Sequence, residues 1–430
     1  MSFEAVSHEL RLGEFDATFS DRWKLSERSF PEGGLFFVER EFLDRYGRLV
    51  RLHEAALQGL FEASELVQAR PALALLLWHE YRLLSGVTSA HGPRCRRARK
   101  ESTVAEVEPA GFPDLREGLG GSSWSINLLL ALSLLPDMIW FYRQRAIPDS
   151  VFEETVEDFP LWCSYFHRHF GVQGISLAIL QWLSNHLHGR LFKLGRLQFM
   201  RGEFAQAITV YRKAGSAELC VLAPPEMAVQ ADGLYPPHPF EVPGLHRSLQ
   251  DSIAWTTRRA ADERLIAGHP LLEGGRVAGA SVELSVDEWS SVLERGDGVL
   301  EMHIPEGAPL EIARCARAVR RAGEFFTEHF PERTYCALTC ESWFLDPAFD
   351  ELLPPGSNIR QFAHGLHRYP IEGPEEESLS RIYGPAVMER GIEIDPSSSS
   401  LQRACADYLS RGGSLRPGGG FLLKGEAPWA

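Results

Sequence analysis

Gly298-Val-Leu-Glu-Met-His-Ile304, then Pro305-Glu-Gly-Ala-Pro309 and the residues on to Phe344, is the stretch that decides the fold. The opening segment alternates about an aliphatic core and reads as a strand. Pro305 and Pro309 bracket a turn, and Pro309 suits a first helical turn, where an N–H would lack a partner anyway. From Leu310 onward apolar residues recur at Ile312, Cys315, Ala316, Val319, Ala322, Phe325 and Phe326, the spacing of a helix with one buried face. Residues 334–345 alternate again and read as a second strand, ending in Cys340-Glu-Ser-Trp343. A crossover helix of this length joins parallel neighbours. It also brings a helix N-terminus to a strand's carboxyl end, where backbone amides can hold a phosphate-bearing group.

Outward from this unit, residues 1–190 read as mainly helical, with helical periodicity at 35–60, 71–84, 126–145, 150–170 and 175–188. Residues 92–121 form a charged, glycine- and proline-rich connection. Past residue 190 strands take over, at 190–200, 207–212, 218–222 and 227–230, with a hairpin turn at 213–216. A helix is expected at 246–266, a strand at 281–284 and a turn about Trp289. Beyond the central unit the reading is a strand at 359–364, helices at 375–382 and 401–411, and a last strand at 418–423. The result is an α+β chain: a helical region at 1–190, a strand meander plus helix at 191–270, and a mixed β-sheet flanked by helices at 271–430.

Composition bounds the function. The chain has 430 residues, a formal net charge of −14 and ordinary apolar content, 44% hydrophobic, which fits several soluble domains and argues against a nucleic-acid partner. Seven cysteines without metal-ligand spacing suit a reducing compartment and a cytoplasmic protein with no metal. His167 and His169, like His186 and His188, sit two apart on helices, so neither pair can chelate from one helix. The apolar run at 126–140 contains Asn127, Pro136 and Asp137 and falls short of the ~20 residues a spanning helix needs, so no membrane partner is expected. The basic cluster Arg94-Cys-Arg-Arg-Ala-Arg-Lys100 reads as a solvated loop.

Several segments resemble the bacterial acyltransferase-domain proteins, whose carboxyl half is a GNAT-like (N-acyltransferase) fold. They are Gly195-Arg-Leu-Gln-Phe199, Gly268-His-Pro270, Gly275-Arg-Val277, Trp289, Gly296–Pro305, Cys340–Asp346, Leu353–Ile359, Ser400-Leu-Gln-Arg403 and Gly418-Gly-Gly-Phe-Leu-Leu423. The resemblance implies a GNAT-like mixed sheet in the carboxyl region. It also implies acyl-CoA as co-substrate in a splay between two parallel strands, and a small-molecule or peptide amine as acceptor. The CoA diphosphate would lie on the backbone at Ile304, Glu306, Gly307, Ala308 and Leu310. Here the chain departs from the superfamily's pattern: one glycine is present, Pro309 removes an amide, and Glu306 and Glu311 bring negative charge towards a negative ligand. A non-catalytic sensor or interaction module on the same fold is the alternative this departure leaves open.

Direct attack of an amine on a thioester needs a base, dipoles for the oxyanion and an acid for the thiolate. Glu301 and His303 share a face at the end of the first strand and are candidate bases. Cys340 and Ser342 share a face of the second strand and are candidate nucleophiles, although no Gly-x-Ser-x-Gly elbow surrounds Ser342. Tyr383 and Tyr408 are candidate acids, on the family's habit of using tyrosine. Asn358, Arg360 and His364, read as alternating on a strand, are candidates for an acceptor pocket.

Overall fold

The computed structural model describes residues 1–86, 111–238, 240–244, 253–427 and 429. The basic cluster at 94–100 and the start of the helix expected at 246–266 lie outside the described residues. The chain divides into two compact units, Met1–Phe192 and Lys193–Ala430.

The first unit is helical. Its longer helices are Arg40–Leu49, Glu54–Ala69, Pro71–Ser85, Ser122–Ser133, Leu135–Gln144, Asp158–Phe170 and Leu177–Leu187. Pro71 stands at a helix start, as its fixed φ and missing N–H favour. The run expected at 126–145 is two helices that meet at Leu134, because Pro136 has no N–H to continue the ladder. Ser122–Gln144 is long and apolar enough to cross a membrane by length and composition, but most of it is buried inside this unit. His186 is spent inside the unit too, its ring nitrogens lying 3.0 Å from Asp158 Oδ2 and 3.3 Å from the Leu191 carbonyl oxygen.

The sheets begin with β1 (Leu191–Leu194) and β2 (Leu197–Glu203), joined through Gly195 at a φ of 78° that suits only glycine well. The short strands β3 (Thr209–Lys213), β4 (Leu219–Leu222), β5 (Ala228–Val229), β6 (Trp255–Thr256), β7 (Arg259–Ala261), β8 (Leu265–Gly268), β9 (Val282–Ser285) and β10 (Trp289–Leu293) follow. Then come β11 (Gly298–His303), the crossover helix Ile312–His329, β12 (Ala337–Ser342), β13 (His367–Pro370) and β14 (Gly418–Leu423). Six strands form the main sheet in the order β1-β2-β11-β12-β14-β13. Within it β11 and β12 run parallel, while β2 on β11 and β14 on β12 run antiparallel.

Alternation then assigns two faces. One buries Val299, Ala337, Tyr369, Phe421 and Leu423 against Phe204, Ile208, Val210 and Leu293, which belong to the three-stranded sheet β10-β3-β4 and its flanks. The other receives the crossover helix, whose Cys315, Ala318, Val319, Ala322, Phe325 and Phe326 are buried. A separate cluster of short helices packs Leu379, Ile382, Cys405 and Leu409 around Phe349.

Three expectations are corrected. Within the helix expected at 246–266, the described part holds β6, β7 and the start of β8; Asp262 Oδ1 accepts the amides of Arg264 and Leu265, and that side-chain turn folds β7 back onto β8. Trp289 opens strand β10, paired with β3, and is not in a turn. The strand expected at 359–364 is the helix Asn358–His364, because the Ser357 hydroxyl accepts the Arg360 amide and caps it.

Candidate active site

The central feature is where β11 and β12 stop pairing. Their ladder holds Val299 to Ala337, Leu300 to Leu338 and Glu301 to Thr339, and ends there. Each strand nevertheless continues on its outer partner. β11 runs on to His303 opposite Gln198, and β12 to Ser342 opposite Gly418. Two parallel strands that stay paired outward but part from each other leave backbone N–H and C=O groups facing an opening.

The face shared with Val299 and Ala337 carries the polar groups of this opening. On β11 these are Glu301 and His303, with His303 Nε2 3.7 Å from Glu301 Oε2, too far for a hydrogen bond. The Glu301 carboxylate leans back over Gly202 of β2, where even a β-carbon would collide with Oε1. His303 is therefore the member of the pair nearer the strand's end. On β12 the same face carries Glu341, whose Oε1 accepts hydrogen bonds from Gln206 Nε2 at 2.8 Å and from the Tyr369 hydroxyl at 3.3 Å.

Tyr369 is only 1% exposed. Burial, reinforced by the charge of Glu341, pushes its phenol well above the ordinary value near 10, so it keeps its proton. Its place depends on Gly418-Gly-Gly420. Tyr369 pairs with Gly419 in register, and a β-carbon there would collide with the tyrosine ring. Phe204 meets the ring edge-on, with centroids 5.9 Å apart.

The loop from β11 to the crossover helix holds the residues assigned to the diphosphate: Ile304, Glu306, Gly307, Ala308 and Leu310. Gly307 takes a φ of 110°, open to glycine but strained for other residues. The helix starts after Glu311, which makes no side-chain cap. Arg196, from the β1–β2 turn, donates from Nε to the Pro309 carbonyl at 3.1 Å and from Nη1 to the Pro305 carbonyl at 2.9 Å.

Other candidates fall to structural roles. Cys340 is buried on the opposite face, near Cys315 of the crossover helix, and burial pushes its thiol up to about 12; a thiol that cannot ionise is no nucleophile. The Ser342 hydroxyl accepts the Phe344 amide and caps the turn Trp343–Leu345. The Tyr383 hydroxyl donates to the Gln402 carbonyl within the helical cluster, and Tyr408 packs in the same cluster. Arg360 and His364 share a helix face with Asp350 between them, His364 Nε2 lying 2.8 Å from its Oδ1. Glu341, Tyr369, Gln206 and Arg196 were not among the sequence candidates; the one available signal was the triple glycine, which fits a strand only where another group lies flat on it.

Parallel strands that part where a crossover helix begins mark the GNAT class of acyltransferases, and the fold places the chain in that class. Residues 191–422 match the family described as the GNAT-like C-terminal domain, and residues 41–189 match the N-acyltransferase N-terminal domain; the chain belongs to this family. Two solved structures are similar over 98% of this chain and 99% of theirs. One is an acyltransferase in complex with decanoyl-CoA and teicoplanin, 21% identical with a TM-score of 0.63. The other is an acyltransferase in complex with decanoyl-CoA, 22% identical with a TM-score of 0.61. No curated protein sequence matches the chain.

Proposed function

We propose that this chain transfers an acyl group from acyl-CoA to an amine carried by a small molecule or peptide. The observation that carries the reading is the parallel ladder that ends at Glu301 and Thr339 while both strands continue. The pantetheine arm lies in that opening along the edges of the two strands, and the diphosphate rests on the loop at 304–310. The amine attacks the thioester carbonyl; the N–C bond forms, the C–S bond breaks, and the thiolate leaves with a proton. His303 on one lip and Glu341 on the other are the groups assigned to take the amine's proton. The proton taken from the amine passes to the leaving thiolate, and Tyr369, held protonated beside Glu341, is assigned to orient that carboxylate through its hydrogen bond.

The test is release of free CoA thiol from decanoyl-CoA against a panel of amines headed by teicoplanin, on which one similar structure was crystallised. Acylation that falls about 100-fold or more in kcat for His303→Ala or Glu341→Gln supports the assignment. Acylation indifferent to both variants, or absent with every amine, refutes it.

A further inference from the structure

The loop at 304–311 has one glycine, Gly307, short of the superfamily's pattern for exposing amides to a diphosphate, and yet it is held in a defined shape. Its two prolines offer no N–H, and both of their carbonyls accept from one side chain, the guanidinium of Arg196, that of Pro309 also accepting the Glu311 amide at 2.9 Å. Every peptide bond in the described chain is trans. In a trans peptide unit the C=O and the following N–H point in opposite directions. Turning the Pro305 and Pro309 carbonyls towards Arg196 therefore turns the Glu306 and Leu310 amides away from it. Among the described residues, the amides of Gly307, Ala308 and Leu310 take no hydrogen-bond partner within the protein. The charge balance also bears on an anion. Arg196 and Arg314 both lie close enough to Cys315 to lower its pKa, whereas Glu311 acts in the opposite sense; Glu306 is on the loop itself. Two cations thus stand against two carboxylates, so the cradle gains from aimed dipoles more than from net charge.

We propose that Arg196 is the positioning residue of the diphosphate cradle, fixing by its two-carbonyl clasp the amide directions that glycines fix elsewhere. The inference rests on the acyl-CoA reading above and adds a residue outside the loop that makes the donor's diphosphate count.

The experiment compares binding of decanoyl-CoA and decanoyl-pantetheine, which lacks the diphosphate, by calorimetry on the full chain. The wild-type protein should bind decanoyl-CoA more tightly. Arg196→Met should weaken decanoyl-CoA by about 10-fold or more while leaving decanoyl-pantetheine unchanged, since only the diphosphate is read by the clasped loop. Arg196→Lys keeps the charge but cannot span two carbonyls in one plane, and it should lose the same preference. Rescue by lysine would mean that charge alone acts, and would overturn the clasp. Equal weakening of both ligands would mean a general loss of structure, and would overturn it too. A wild-type chain that binds both ligands equally overturns the cradle, whereas one that binds neither overturns the donor reading beneath it.

Discussion

Gly419→Ala is the sharpest perturbation of the site, because it sets one methyl group directly against the Tyr369 ring. A β-carbon at Gly419 would lie 2.0 Å from Tyr369 Cε2 and 2.3 Å from Cζ. Carbon atoms settle at about 3.5–4.0 Å, so the ring must retreat by about 1.5–2 Å. It has little room, being 1% exposed and part of a core with Phe204 and Phe421. Overpacking of this kind costs about 1–3 kcal/mol. The phenol hydroxyl stands 3.3 Å from Glu341 Oε1, near the limit of a hydrogen bond, and the retreat breaks it. The variant should therefore unfold at lower temperature and lose activity as Glu341 loses the hydrogen bond that orients it. Tyr369→Phe separates the two effects: the ring stays, the hydroxyl goes, and kcat should fall with a stability loss of only about 1 kcal/mol. Thermal unfolding and initial rates with decanoyl-CoA measure both. Wild-type stability for Gly419→Ala, or full kcat for Tyr369→Phe, would refute the reasoning.

Burial pushes the Glu80 carboxyl of the first unit up to about 8 from its ordinary value near 4.5. The folded chain thus keeps a proton that the unfolded chain gives up, and stability falls as pH rises from about 4.5 to 8. Glu80→Gln should be more stable than wild type by a margin that widens across that window in urea titrations; a constant margin would argue against a neutral Glu80. Cys340→Ala should cost on the order of 1 kcal/mol of stability and leave kcat alone, since the thiol faces the crossover helix. A collapse of kcat would restore Cys340 as a nucleophile. Ser342→Ala removes a cap, and should lower stability by about 0.5–2 kcal/mol in thermal unfolding without changing the pH profile of the rate.

The strand–helix–strand unit was legible because its period changes from two to 3.6 and back within one stretch, bounded by Pro305 and Pro309. The observed strands, Gly298–His303 and Ala337–Ser342, lie inside the expected ones, and the helix Ile312–His329 runs past Phe326, the last apolar position read for it. Glu301 and His303 were legible as a pair because alternation alone puts them on one face. Alternation could not say that the Glu301 carboxylate lies over Gly202, which is a fact about the neighbouring strand. Cys340 and Ser342 looked equivalent in sequence and differ only in what covers them: a helix in one case, a backbone amide in the other. Tyr369 and Glu341 are 28 positions apart and meet only because β14 inserts between β12 and β13, an order that no local pattern encodes. Arg196 lies further still from the loop it holds. Misread elements were short or capped by side chains: β7 and β8 turn on Asp262, and Asn358–His364 turns on Ser357, signals that a few apolar residues outweighed.

The decisive measurement is a crystal structure of the chain with decanoyl-CoA. The pantetheine arm should lie between residues 302–303 and 340–341, hydrogen-bonded to backbone past the last paired residues, with the diphosphate against the loop at 304–310. A ligand bound elsewhere, or β11 and β12 paired to their ends with the ligand outside them, would contradict that placement.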